Sequence, residues 1–199
     1  MTRAWIEVGG QPAYHRLCAA IVALARAGVA RLTARDGDPL LAPPSAQFAS
    51  RVSELQAAWH AAEAVVPGGG PLGRLARLLR KSDAFVEGVL FALTAAPALD
   101  RGIAIAYRAL EPGGAAVPSA GLSAGLLLDL TSTVDTHRFA LAAALHPDAA
   151  LRRSGLVRAG LRPDEIVGAA SPVEVASTAL AVLRCEPVPP PTGATELWP

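Results

Sequence analysis

Apolar residues recur every three or four positions along most of this 199-residue chain, and that spacing predicts helices. From Pro12 to Arg35, the residues Leu17, Ile21, Leu24, Gly28 and Leu32 form one stripe, with Arg16, Arg26, Arg31 and Arg35 mostly off it. Asp36-Gly37-Asp38-Pro39 ends this segment, and Pro43-Pro44 completes the break. Ser45 then reads as the N-cap of a second helix, whose Phe48, Val52, Leu55, Trp59, Ala62 and Val66 step alternately by four and three. Two helices joined by a short Pro-containing loop predict an antiparallel hairpin over residues 1–66.

A Gly-rich break, Pro67 to Pro71, follows, and then a short basic helix from Leu72 to Arg80. Ser82 or Asp83 caps the next helix, apolar through Phe85, Val89, Leu90 and Leu93 as far as Ala96-Pro97. Arg101 to Leu110 reads as another, with Ile103, Tyr107 and Leu110 on one side. Pro118-Ser119 is expected to open a helix through Leu122, Leu126, Leu127 and Leu130, and Thr133 or Asp135 one through Phe139, Leu141 and Leu145. Asp148 to Arg153 makes a last turn closed by Gly155, and Leu156-Val157-Arg158 is a weak strand signal. Ser171-Pro172-Val173-Glu174 has the form of a capping box and predicts a helix running to about Arg184. Residues 72–185 thus form a second, mainly α unit, and residues 186–199 a Pro-rich linker or tail.

Composition narrows the function classes. The formal charge of +1 supplies no global field for nucleic acid or an anionic membrane. Hydrophobic residues at 52% and charged residues at 18% exclude a disordered chain. Cys18 and Cys185 make no disulfide framework and no C-x-x-C zinc pair, so a reducing compartment is the simpler reading. Glu7 interrupts the N-terminus before any apolar run of signal-peptide length, and the longest uncharged stretch, between Glu111 and Asp129, is broken by prolines and glycines. A cytoplasmic bacterial protein is the expectation, with no membrane partner.

No catalytic constellation emerges. Gly68 to Gly73 has the glycine spacing of a P-loop, but Arg74-Leu75 stand where Lys-Ser/Thr would meet phosphate and magnesium. A hinge is the plainer reading. His15, His60, His137 and His146 form no metal-ligand pair, and no G-x-S-x-G elbow supports a serine nucleophile. Cys18, beside the apolar stripe, reads as a small packed hydrophobe. The candidate partner-contacting residues are Arg152, Arg153, Arg158 and Arg162, which bracket the strand signal. In a winged helix that region is the wing and touches phosphates; the plainer alternative is a solvated face around a helix end.

From Phe85 to Val157 the chain resembles the winged-helix-like region that lies N-terminal to the ATPase module in bacterial AAA-type ATPases, including those associated with contractile injection systems. The resemblance rests on Glu87, the apolar run Val89 to Leu93, and Ala96-Pro97-Ala98-Leu99-Asp100. Tyr107 to Leu110, Pro118 to Leu122, Leu126 to Leu128 and Ala149 to Val157 continue it. Ala98 replaces the family's usual acidic residue, and the loop from Glu111 to Val117 lacks its usual charges. No position matches the family's ATP-binding residues, so no cofactor belongs to this chain; ATP and magnesium are expected only in a downstream ATPase module.

The resemblance implies a mainly α fold: an N-terminal antiparallel helical hairpin, then a winged-helix-like bundle with little β structure. It also implies a non-catalytic recognition or assembly region that contacts protein substrates or partners, with self-association through a parent ATPase ring. Two rivals stand beside it, a winged-helix DNA-binding regulator and a free-standing interaction adaptor. Against the regulator, the segment assigned to the groove-reading helix, Ser119 to Leu130, carries no basic residue and no amide, only Asp129, so no sequence-specific nucleic-acid partner is expected.

Overall fold

A computed structural model of the chain describes residues 11–33, 44–65, 84–111, 122–131, 141–160 and 164–184. The two long amphipathic stripes become α1 (Gln11–Thr33) and α2 (Pro44–Val65). Leu17, Ile21 and Leu24 of α1 and Val52, Leu55 and Ala62 of α2 are buried, as the stripes require. The guanidinium of Arg31, late in α1, sits 5.1 Å from the ring centroid of Phe48, early in α2, so the helices run antiparallel. Pro44 occupies the first helical position, where its missing N–H costs nothing, and Ser45 therefore lies inside the helix instead of capping it.

The apolar run at Phe85 to Ala96 lies in α3 (Ala84–Leu99), and α4 (Arg101–Leu110) follows after a bend of 113°. Asp100 makes that corner. Its backbone is extended, and its carboxylate accepts from the N–H groups of Gly102 at 2.7 Å and Ile103 at 3.2 Å, capping α4. The same carboxylate meets Arg26 of α1 at 2.8 Å. Tyr107 turns its ring into the core and donates to the carbonyl of Leu93, and burial pushes its phenol well above the ordinary value.

Beyond α4 come β1 (Leu122–Ser123), α5 (Ala124–Thr131), helical residues 141–144, α6 (Ala150–Arg153), β2 (Val157–Ala159), β3 (Pro172–Val175) and α7 (Ser177–Leu183). The strands form one antiparallel sheet in the order β1-β3-β2. Three described helical segments stand between β1 and β2, and the last strand lies in the middle of the sheet, an order similar to that of a winged helix. The fold is mainly α with little β structure.

Three sequence expectations change here. Leu122 and Ser123 are not helical: they pair with Val173 and Pro172, and α5 begins at Ala124 with the Ser123 hydroxyl accepting from Leu126 N–H. Ser171 to Glu174 does not open a helix; Pro172–Val175 is the central strand, with Val173 and Val175 buried on one face. Proline is tolerated there because it is the strand's first residue. The predicted strand is real but shifted by one residue, to Val157–Ala159. The Gly-rich break, the basic helix at 72–80, the caps at Ser82 or Asp83 and at Thr133 or Asp135, and the tail at 186–199 lie outside the described residues.

One continuous cluster of buried side chains runs from the hairpin through α3, α5 and the sheet to α7. Helix α1 touches α2, α3, α4 and α5. Gly28 lets it approach α5: a Cβ there would lie 3.2 Å from the backbone oxygen of Leu130. Arg31 then donates to the carbonyls of Asp129 and Thr131 at the end of α5, where the helix leaves oxygens unpaired and its dipole favours a cation.

Two expected outcomes follow from these contacts. Arg31→Ala should cost about 2–3 kcal/mol, because it strands partly buried carbonyls that a charged donor satisfied. Arg31→Lys, which keeps the charge and loses the fork, should fall between; urea unfolding with an unchanged m-value checks both. Asp100 gives a pH signature. Backbone donation from Ile103, and then the Arg26 side chain, hold its carboxyl below the ordinary aspartate value. Its stabilising contribution is therefore present above about pH 4 and is lost as pH falls through the depressed folded-state value. The melting-temperature gap between the wild type and Asp100→Ala should close on acidification over that window, and a gap that stays constant would refute the assignment.

Candidate functional site

The wing is built by two left-handed glycines and one arginine. Gly155, with φ of 70°, closes α6 and turns the chain into β2. Gly160, with φ of 80°, opens the wing after β2, and its N–H donates to Pro172 O at 2.8 Å. A side chain at Gly160 would be strained by that φ and would meet the Glu165 carboxyl group at 3.0 Å. The far end of the wing is sewn to α5: Gly125 N–H donates to Ala169 O, and Ala124 N–H to Ser171 O. Ser171 also closes its own turn, its hydroxyl accepting from Gly168 N–H at 3.0 Å.

Of the four arginines proposed as partner-contacting, Arg152 is turned to the chain's own carbonyls. Arg152 is half-buried and donates to Leu145 O at 3.1 Å and to Glu165 O at 2.8 Å. It ties the end of the preceding helical segment to the wing. Burial pulls its guanidinium below the ordinary arginine value, opposed by Glu165 and Asp164. Arg153, ending α6, and Arg158, on the outer side of β2, are exposed, and Arg158 lies across the ladder from Glu174. Arg162 lies outside the described residues.

Within the wing the exposure alternates: Asp164, Ile166 and Gly168 face out, and Glu165 and Val167 are partly covered. Among the described residues after Gly160, the larger exposed side chains are thus an acid and an isoleucine. The strand at Leu122–Ser123 makes α5 the first helix after the first strand, so Ser119 to Leu130 does not occupy the groove-reading position. Among the described residues of the next helical segment, 141–144, the exposed side chains are Ala142 and Ala143.

Other sequence candidates resolve into structure. Glu87 is buried where α3 passes α2, and neither its Oε2 nor the Trp59 Nε1 on α2 has a hydrogen-bond partner, a local cost of burial. Cys18 is partly buried, with its Sγ 3.8 Å from Leu183 O. His15 and His60 are exposed, and His146 pairs with Asp148 at 3.5 Å. Among the described residues no group of three His, Cys, Asp or Glu side chains converges as a metal site, and no single helix is long and apolar enough to cross a membrane.

Sequence reasoning missed Ile105 and Ile166, the large apolar side chains most exposed among the described residues. The signal was present for Ile105, which falls opposite the Ile103–Tyr107 stripe at helical spacing. Compared with protein-family models, with curated proteins and with solved structures, the chain gives no match.

The different settings of the adjacent arginines are directly testable. Arg152→Ala should lower stability by roughly 1–3 kcal/mol by removing a charged donor from two carbonyls, whereas Arg153→Ala should change it by less than about 0.5 kcal/mol. Calorimetric melting of the two variants side by side checks this, and equal losses would contradict the tether.

Proposed function

We propose that this chain is a non-catalytic recognition or assembly region of an AAA-type ATPase, of the kind associated with bacterial contractile injection systems. It works in the cytoplasm and holds a protein substrate or partner near an ATPase ring. ATP and magnesium belong to a downstream module. The observation that carries the reading is a wing whose outward side chains, among the described residues after Gly160, include Asp164 and Ile166, with Arg152 committed to internal carbonyls. An acid at a wing repels a phosphate backbone, and an exposed isoleucine gains free energy only against another apolar surface. The resemblance from Phe85 to Val157 supplies the ATPase context.

Two measurements test it. Sequencing the gene beyond the codon for Pro199 should reveal a strand, a Walker P-loop and an acidic magnesium-binding strand; a stop codon there would favour the free-standing adaptor. Fluorescence anisotropy with a random duplex pool, followed by sequencing of the bound fraction, should give no enriched motif. Submicromolar binding with an enriched motif at physiological salt would favour the DNA-binding regulator.

A further inference from the structure

We propose that Cys18 and Cys185 are a redox pair, and that oxidation joins them in a disulfide that staples α7 to α1. The fold supplies the approach. Leu183, the last residue of α7, turns its carbonyl to α1, where it accepts from the Tyr14 hydroxyl and lies 3.8 Å from Cys18 Sγ. Cys18 and Leu183 are 165 positions apart in sequence, so only the tertiary fold brings them together. Cys185 itself lies outside the described residues, but it is bonded to Arg184, the described C-cap of α7. Consecutive Cα atoms are about 3.8 Å apart, so the chain carries the Cys185 Cα no more than about 7 Å from that of Leu183. A disulfide spans Cα separations of about 4.4–6.8 Å, a reach of the same order. These are the only two cysteines of the chain, and they fall at the two ends of one long-range contact.

Cys18 is partly exposed, so a small oxidant can reach its thiol. In the exchange, one cysteine thiolate attacks a sulfur of glutathione disulfide and expels one glutathione thiolate. The second cysteine thiolate attacks the protein sulfur of that mixed disulfide and expels the other. The protein thiols lose two protons and two electrons in all, and the oxidant is reduced to two thiols. In a reducing compartment both protein thiols persist, and the link forms when the glutathione pool is oxidised. Reduced, α7 is held on α1 by hydrogen bonding and packing; oxidised, it cannot leave. The staple does not depend on the ATPase context proposed above, and a stop codon after Pro199 would leave it intact.

The full chain should be incubated with glutathione disulfide, quenched with acid and mapped by peptide mass spectrometry. The expected product is a monomer about 2 Da lighter, with the Cys18 peptide linked to the Cys185 peptide. Its melting temperature should rise by about 5–15 °C and return on adding dithiothreitol. Cys18→Ser and Cys185→Ser should each abolish the difference between oxidised and reduced samples. The fold must also direct the pairing. The ratio of linked product to glutathione mixed disulfide should be at least about tenfold higher in buffer than in concentrated urea, where the ends of so long a loop seldom meet. Mixed disulfides without a link, disulfides between chains, or an equal ratio in urea would each overturn the proposal. So would a link that leaves the melting temperature unchanged.

Discussion

The carboxyl end of α5 leaves carbonyl oxygens with no partner in their own helix, and Arg31 of α1 supplies the donors. The rest of the architecture depends on that junction. With α1 anchored at α5 and Gly28 allowing the approach, the stripe of α1 is fixed against α3, and α2 covers its other flank. The Asp100 carboxylate then joins the α3–α4 corner to the same helix through Arg26. Helix α1 is the strut on which the winged helix is assembled, so the hairpin and the sheet share a single core.

The wing follows a similar economy. Its arms are held by backbone bonds to α5 and by the Arg152 side chain, and its outward side carries an apolar residue beside an acid. A basic residue that looks available in sequence has been used to position a loop. Charge clusters in sequence therefore need dividing into groups that point outward and groups that satisfy the chain itself.

Much of the helical fold was legible. The 3.6-residue period of Leu17, Ile21 and Leu24, and of Phe48, Val52 and Leu55, places α1 and α2 to within a residue or two, and the Pro and Gly breaks mark their ends. The sheet was far less legible. Two residues at Leu122–Ser123 carry no period, and Ser171-Pro172-Val173-Glu174 has better local credentials as a helix start than as a strand. Pairing with both neighbours overrides that preference, since the valines alternate into a buried face. The site was partly legible: a wing was one reading of the region around Arg152 to Arg162, but its second strand, Pro172–Val175, read as a helix start, and the arginines drew attention away from Ile166. Arg31 escaped notice because a charged residue off a stripe is ordinarily a solvated one.

The Tyr14 hydroxyl donates to Leu183 O, a link between residues 169 positions apart. Seen from the ribosome, this contact imposes an order on folding. Helices α1 and α2 emerge first and can zip together locally, but the face of α1 that meets α3 and α5 stays uncovered until those helices arrive. The last described helix must then return to the first turns of α1. The completed fold is thus gated by synthesis of α7, and a nascent chain halted before α3 presents a ready-made hairpin with an apolar flank still open to capture.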